Sequence, residues 1–180
     1  GLIIHRLLHP VVTVERDAAG RLQRVSPDKD GAGARESVIF MEIGHAGAKA
    51  RHEFLDALKI SLGDVAAAVR DWKAMRAEML ADAAMRTEGE GAELLRWFEA
   101  GGMTLLAHEW RTRDGAQQQP LGLSSASHGT LMSKAGLAAA FRWFDEGGTA
   151  PLLIKSNRLS TVHRRVMLDL VIVPDMVNGK

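Results

Sequence analysis

"LDALKISLGDVAAAVRDWKAMRAEML", residues 55–80, decides the fold. Leu55, Leu58, Leu62, Val65, Val69, Trp72, Met75 and Met79 recur every three or four positions, which is one stripe of an α-helix. The pattern runs from about Ala48 to Met85, so at 1.5 Å per residue the helix is roughly 50 Å long. One small sheet cannot cover such a length, so the helix is expected to link modules or to pack against a partner. Gly63 lies inside it, at a cost of up to about 1 kcal/mol relative to alanine, and marks a close helix contact or a kink.

Working outward, "TEGEGAE" (87–93) breaks the period and sets a module boundary, giving residues 1–86 and 87–180. Upstream, "HPVVTVERD" is β-branched and follows Pro10, which disfavours helix for His9. "DAAG" (17–20) is a turn and "RLQRV" returns, so a hairpin is expected. "ESVIFMEI" (36–43) is apolar on both alternating faces, as a central strand covered on both sides would be. Downstream, a helix around "AELLRWFEA" precedes the strand "MTLLAHEWR", the turn "TRDGAQQQ" and the strand "PLGLSS". A second helix, "SKAGLAAAFRWFDE", stops at Gly147-Gly148 and buries Leu137, Phe141 and Phe144; "APLLIKS" and "VMLDLVIVP" are the last two strands. "LLRWFEAGG" (94–102) and "AFRWFDEGG" (140–148) echo one another, through duplication or through a shared way of ending a helix. Trp72, Trp97 and Trp143 are expected in a core or an interface.

Composition narrows the function. The 180 residues carry a formal charge of +1, unlike a strongly basic nucleic-acid binder. The sequence holds no cysteine, which excludes disulfides and thiolate metal sites and agrees with a reducing cytoplasm. No apolar run approaches the ~20 residues that span a bilayer. The N-terminal "GLIIHRLLHP" lacks the pattern of a signal peptide and begins already apolar, as a cut within a fold would.

Catalytic patterns are incomplete. "GAGARE" (31–36) and "GEGAEL" (89–94) lack the third glycine and the strand–turn–helix setting of a dinucleotide fingerprint. His52-Glu53 and His108-Glu109 each lack the second histidine of a zinc-protease helix. "LGLSSASHG" offers Ser124, Ser125, Ser127 and His128, but the nucleophile elbow lacks its second glycine. A hydrolase using Ser127 and His128 is therefore a remote reading. No catalytic, cofactor-binding or metal-binding residue is expected.

The richest polar stretch is "SNRLSTVHRR" (156–165). Asn157, Ser160 and Thr161 can bond the nearby backbone, and Arg158, Arg164 and Arg165 can clamp an anion. Arg158, Ser160, Thr161, His163 and Arg164 are the candidate ligand or interdomain contacts. Structure is the leading expectation: His163 as a packed hydrogen-bonder where a strand begins, and the arginines meeting acids such as Asp169.

These pieces, in order, resemble a known family. "HPVVTVERDAAGRL", "ESVIFMEI", "LGDVAAAVRDWKAMR", "ELLRWFEAGGMTLLAHEW", "PLGLSS" and "LIKSNRLSTVHRRVMLDLVIV" are similar to the N-terminal region of the large bacterial NAD-specific glutamate dehydrogenases. The resemblance implies an α+β chain of two small mixed modules joined by the long helix. The first, 1–86 with the helix at about 48–86, is an incomplete ACT-like, ferredoxin-type unit without its first strand and helix. The second, 87–180, is PAS-like, an antiparallel sheet with helices. It implies a regulatory and assembly segment without its own catalytic site, in a parent that converts L-glutamate to 2-oxoglutarate with NAD. Expected partners are the rest of the same polypeptide, a homo-oligomer and a small-molecule effector, in the cytoplasm, with neither nucleic acid nor membrane. The alternative is a small-ligand module sensing an amino acid or carboxylate. This chain departs from the family at Leu105–His108, where an aromatic "FLGY"-like run is usual, and at Arg165, where proline often stands.

Overall fold

The computed structural model describes residues 3–27, 33–85, 89–126 and 131–174. The chain is α+β, with small antiparallel sheets and one long helix. It divides into two units, Gly1–Leu55 and Asp56–Lys180. The boundary expected at Thr87 lies outside the described residues.

In the first unit, β1 (Ile4–Leu8) pairs antiparallel with β5 (Phe40–Ile43). A second sheet places β2 (Val11–Arg16) between β3 (Leu22–Ser26) and β4 (Ala34–Ser37). The expected hairpin is β2–β3. Its turn is held by Asp17, whose Oδ1 accepts from the Ala19 and Arg21 amides at 3.0 and 2.9 Å, with Gly20 at φ +78°. The single covered strand expected through "ESVIFMEI" is two strands instead. β4 pairs with β2 and β5 with β1, and each is a sheet edge. Val38 and Ile39 form the step between them, where the Val38 amide donates to the Pro10 carbonyl at 3.0 Å. A continuous apolar run thus serves two sheets, and its side chains are largely exposed.

The long helix, α1 (Ala48–Ala84), keeps nearly its expected limits and runs unbroken through Gly63. A Cβ at Gly63 would meet open space, so neither a close contact nor a kink accounts for that glycine. Its buried face takes only Met75 from the apolar stripe, with Leu58 and Met79 partly buried. Asp64, Ala67, Ala68, Met75, Asp82 and Ala83 are buried, whereas Leu55, Leu62, Val65, Val69 and Trp72 are exposed.

The rest of the second unit repeats one plan. α2 (Glu90–Trp97) runs into a π-helical turn, Phe98–Gly102, followed by the antiparallel pair β6 (Ala107–Arg111) and β7 (Gln117–Gly122). α3 (Lys134–Asp145), capped by Ser133, is followed by the antiparallel pair β8 (Leu152–Leu159) and β9 (Met167–Ile172). The sequence echo is a conformational one. Gly101 and Gly147 take positive φ, +112° and +96°. A Cβ on Gly102 or Gly148 would stand 2.5 or 2.3 Å from the ring of Trp97 or Trp143. Each indole therefore folds back over a glycine five residues on. This keeps Trp97 and Trp143 out of the core, at 58% and 45% exposed. The core is built instead from Ala83, Leu95 and Phe98, with Met79, Leu94, Met103, Val171 and Val173 packed around them. Leu137, Phe141 and Phe144, expected inside, are half-buried, and Ala140 is the buried residue of α3.

Candidate functional site: the aspartate seam of the long helix

Asp64, Asp71 and Asp82 are separated by seven and eleven residues on α1. At about 100° per residue both intervals return to within about 20° of the same face. Small Ala67 and Ala68 lie on that face, so other chain segments come close to the helix. Each aspartate then meets a different one.

Asp64 is fully buried. Its Oδ2 accepts a hydrogen bond from Thr161 Oγ1 and stands 3.5 Å from Arg158 Nη2, while its Oδ1 is buried without a hydrogen-bond partner. Arg158 is the penultimate residue of β8 and Thr161 lies just beyond the strand, so the start of the connection between β8 and β9 is fastened to the helix at this carboxylate. The loop has its own supports. Ser156 Oγ donates to the Leu131 carbonyl and accepts from the Arg158 amide at 3.0 Å. Ser160, also buried, donates to the Val162 carbonyl at 2.6 Å and accepts the Val162 amide at 3.1 Å.

Asp71 closes a ring. Arg70 grips its two oxygens at 2.8 and 2.7 Å, and the Gly122 amide donates to Oδ2 at 2.8 Å. Gly122 accepts in turn from Ser125 Oγ at 2.7 Å, and Arg70 reaches that hydroxyl at 3.1 Å. The bond from Arg70, then that from the Gly122 amide, hold the Asp71 carboxyl down at about 2. Gly122 has φ +57°, and a Cβ there would stand 2.3 Å from the Leu106 carbonyl oxygen and 3.0 Å from Met75 Sδ. Only glycine admits both the turn and the close approach of the helix.

Asp82, also buried, lies 3.8 Å from His108 Nε2 on β6. The His108 Nδ1 is buried without a partner, and Trp110 meets the imidazole edge-on, 6.2 Å between ring centres.

The structure brings together only part of the residues singled out in the sequence. Arg158, Ser160 and Thr161 converge near Asp64. His163 does not: it is exposed in the β8–β9 connection at φ +64°, and Arg164 beside it is exposed too. The packed position expected for His163 assumed that the strand starts there; β9 starts four residues later, at Met167. Asp169 pairs with Lys155 across the strands, and Arg158 takes Asp64. Asp64, Asp71 and Asp82 were not anticipated, although their spacing was readable. Ser125 is engaged in the Asp71 ring, and Ser124 Oγ is buried without a partner. Ser127 and His128 lie outside the described residues. Among the described residues, no three His, Asp or Glu side chains are grouped to share a metal ion, and no helix is long and apolar enough to cross a membrane.

Residues 1–58 match the family described as glutamate dehydrogenase, ACT1 domain. This stretch covers the sheets of the first unit and the first turns of α1, and it supports an ACT-like, N-terminal glutamate dehydrogenase region there. Comparison with curated proteins and with solved structures yields no match.

Proposed function

We propose that the chain is a regulatory and assembly segment of an NAD-specific glutamate dehydrogenase and has no catalytic site of its own. The match over residues 1–58 carries this reading. The parent reaction is oxidation of L-glutamate, with NAD and water, to 2-oxoglutarate, ammonium and NADH, in the cytoplasm. The second unit takes the role of a PAS-like module, and the contacts of Arg158 and Thr161 with Asp64 hold its last strand pair to the long helix.

Assembly is supported by the apolar side chains that the chain leaves uncovered. Ile4, Leu7, Leu8 and Phe40 are each more than half exposed on the β1–β5 pair. Apolar clusters of this kind usually mark contact with another chain or domain.

The polypeptide that carries this sequence in its source should reduce NAD with L-glutamate. The purified 180-residue chain should neither do so nor retain NAD in equilibrium dialysis. NAD-linked turnover by the chain alone overturns its non-catalytic role. Sedimentation should show a dimer or larger species, and a monomer at all concentrations removes the assembly role.

A further inference from the structure

The second unit contains a cleft of about 410 Å³ between α1, the π-helical turn and the segment leading into β6. Trp72 and Arg76, one helical turn apart, line it together with Glu99, Gly101, Met103 and Leu105. Its volume lies in the range of small-molecule sites, and its lining has their usual make-up, largely apolar with a few convergent polar groups. Glu99 and Gly101 belong to the turn that ends α2, where Gly101 takes φ +112°. Leu105 also falls where this chain departs from the family's aromatic run.

The polar groups are arranged in an unusual way. Arg76 Nε donates to Glu99 Oε1 at 2.7 Å, and Nη2 donates to the same oxygen. The guanidinium is further held over the Trp72 ring, 5.3 Å from its centre. Among the described residues no hydrogen bond uses Arg76 Nη1 or Glu99 Oε2. The side chain of Glu99 is only 13% exposed. The cleft thus offers one cationic donor and one anionic acceptor side by side, on a pair whose net charge is zero.

We propose that this cleft binds a zwitterionic α-amino acid with an apolar side chain. The carboxylate meets Arg76 Nη1, the ammonium meets Glu99 Oε2, and the side chain lies against Trp72, Met103 and Leu105. A ligand with a carboxylate alone faces Glu99 unmatched, and an amine alone faces Arg76 unmatched, so either is rejected by half of the pair. The site lies outside residues 1–58 and does not depend on the dehydrogenase parentage.

The test is isothermal titration of the full chain with L-leucine, 4-methylpentanoate, 3-methylbutylamine and L-glutamate. L-leucine should bind saturably, and the other three at least about tenfold more weakly, a difference of about 1.4 kcal/mol. Leu105→Trp, which fills the cleft, should abolish binding while keeping the wild-type circular dichroism. Glu99→Gln should weaken L-leucine by about tenfold or more and leave 4-methylpentanoate unchanged or tighter; if Leu105→Trp does not fold, this variant decides. No heat with L-leucine up to about 10 mM, where a millimolar site would be filled, overturns the site. Equal affinity for 4-methylpentanoate or L-glutamate overturns the ligand class, and unaltered binding by Leu105→Trp overturns the location.

Discussion

The two faces of α1 invert the usual arrangement of a surface helix. The buried face carries three aspartates with alanines and Met75, while Leu55, Leu62, Val65, Val69 and Trp72 remain exposed. The difference is one of directionality. Apolar side chains would pack against any apolar neighbour, whereas each aspartate meets particular polar groups: Asp64 a threonine hydroxyl and, at 3.5 Å, an arginine; Asp71 a glycine amide; Asp82 an imidazole 3.8 Å away. The seam therefore fixes which strand pair sits where, and the apolar stripe is left free of that task.

The sharpest way to break this contrast is Asp64→Ala. It removes the buried carboxylate that Arg158, whose side chain is 14% exposed, faces at 3.5 Å. Loss of one partner of a buried pair costs about 3 kcal/mol or more, read as a lower urea midpoint; a midpoint within error of wild type would mean that the seam contributes nothing there. Gly122→Ala comes next. Strain at φ +57° and the 2.3 Å approach to Leu106 should together cost about 2–3 kcal/mol, and a wild-type melting curve would refute the close packing of β7 on the helix.

The third prediction concerns acid. The Asp71 carboxyl is depressed to about 2 in the folded chain, against about 3.9 in an unfolded one. A depressed group stabilises the fold fully above the unfolded value and loses that contribution as pH falls through the folded one. Stability should therefore decline between about pH 4 and pH 2, and Asp71→Asn should flatten this part of the profile in urea titrations. An unchanged slope would show that the Arg70–Gly122 ring does not form in solution. The smallest effect belongs to the other face: Val69→Ser, at a residue 65% exposed, should change stability by no more than about 0.5 kcal/mol. A loss well above this would show that the stripe is covered in solution.

Much of the backbone was legible in the sequence. Hydrophobic period and caps located α1 and α3 within a residue or two, and Asp17 with Gly20 located the β2–β3 turn. The buried side of α1 was not, because the expectation followed hydrophobicity. Leu62 and Val69 score as core, while Asp64 and Asp82 score as solvent, and only their partners reverse that order. The same reason hid the site. Arg158 and Thr161 stood out as residues that make contacts, but their partner is nearly a hundred positions away in sequence. "ESVIFMEI" misled because a continuous apolar run does not show that the chain changes sheets at Val38. The Trp-Phe-Gly-Gly echo was visible, but not that the indole would lie on its own glycine instead of in the core.

The three seam contacts share one angular setting, and this places a constraint on length. Deleting a single residue between Asp64 and Asp82 turns everything beyond it by about 100° and shortens the helix by about 1.5 Å, so His108 would face the wrong side chain while the Asp64 fastening stayed in place. Removing a whole heptad would restore the angle to within about 20° but displace the far contacts by roughly 10 Å. Between these aspartates the helix behaves as a notched ruler, free to exchange outward-facing residues but closed to insertions and deletions.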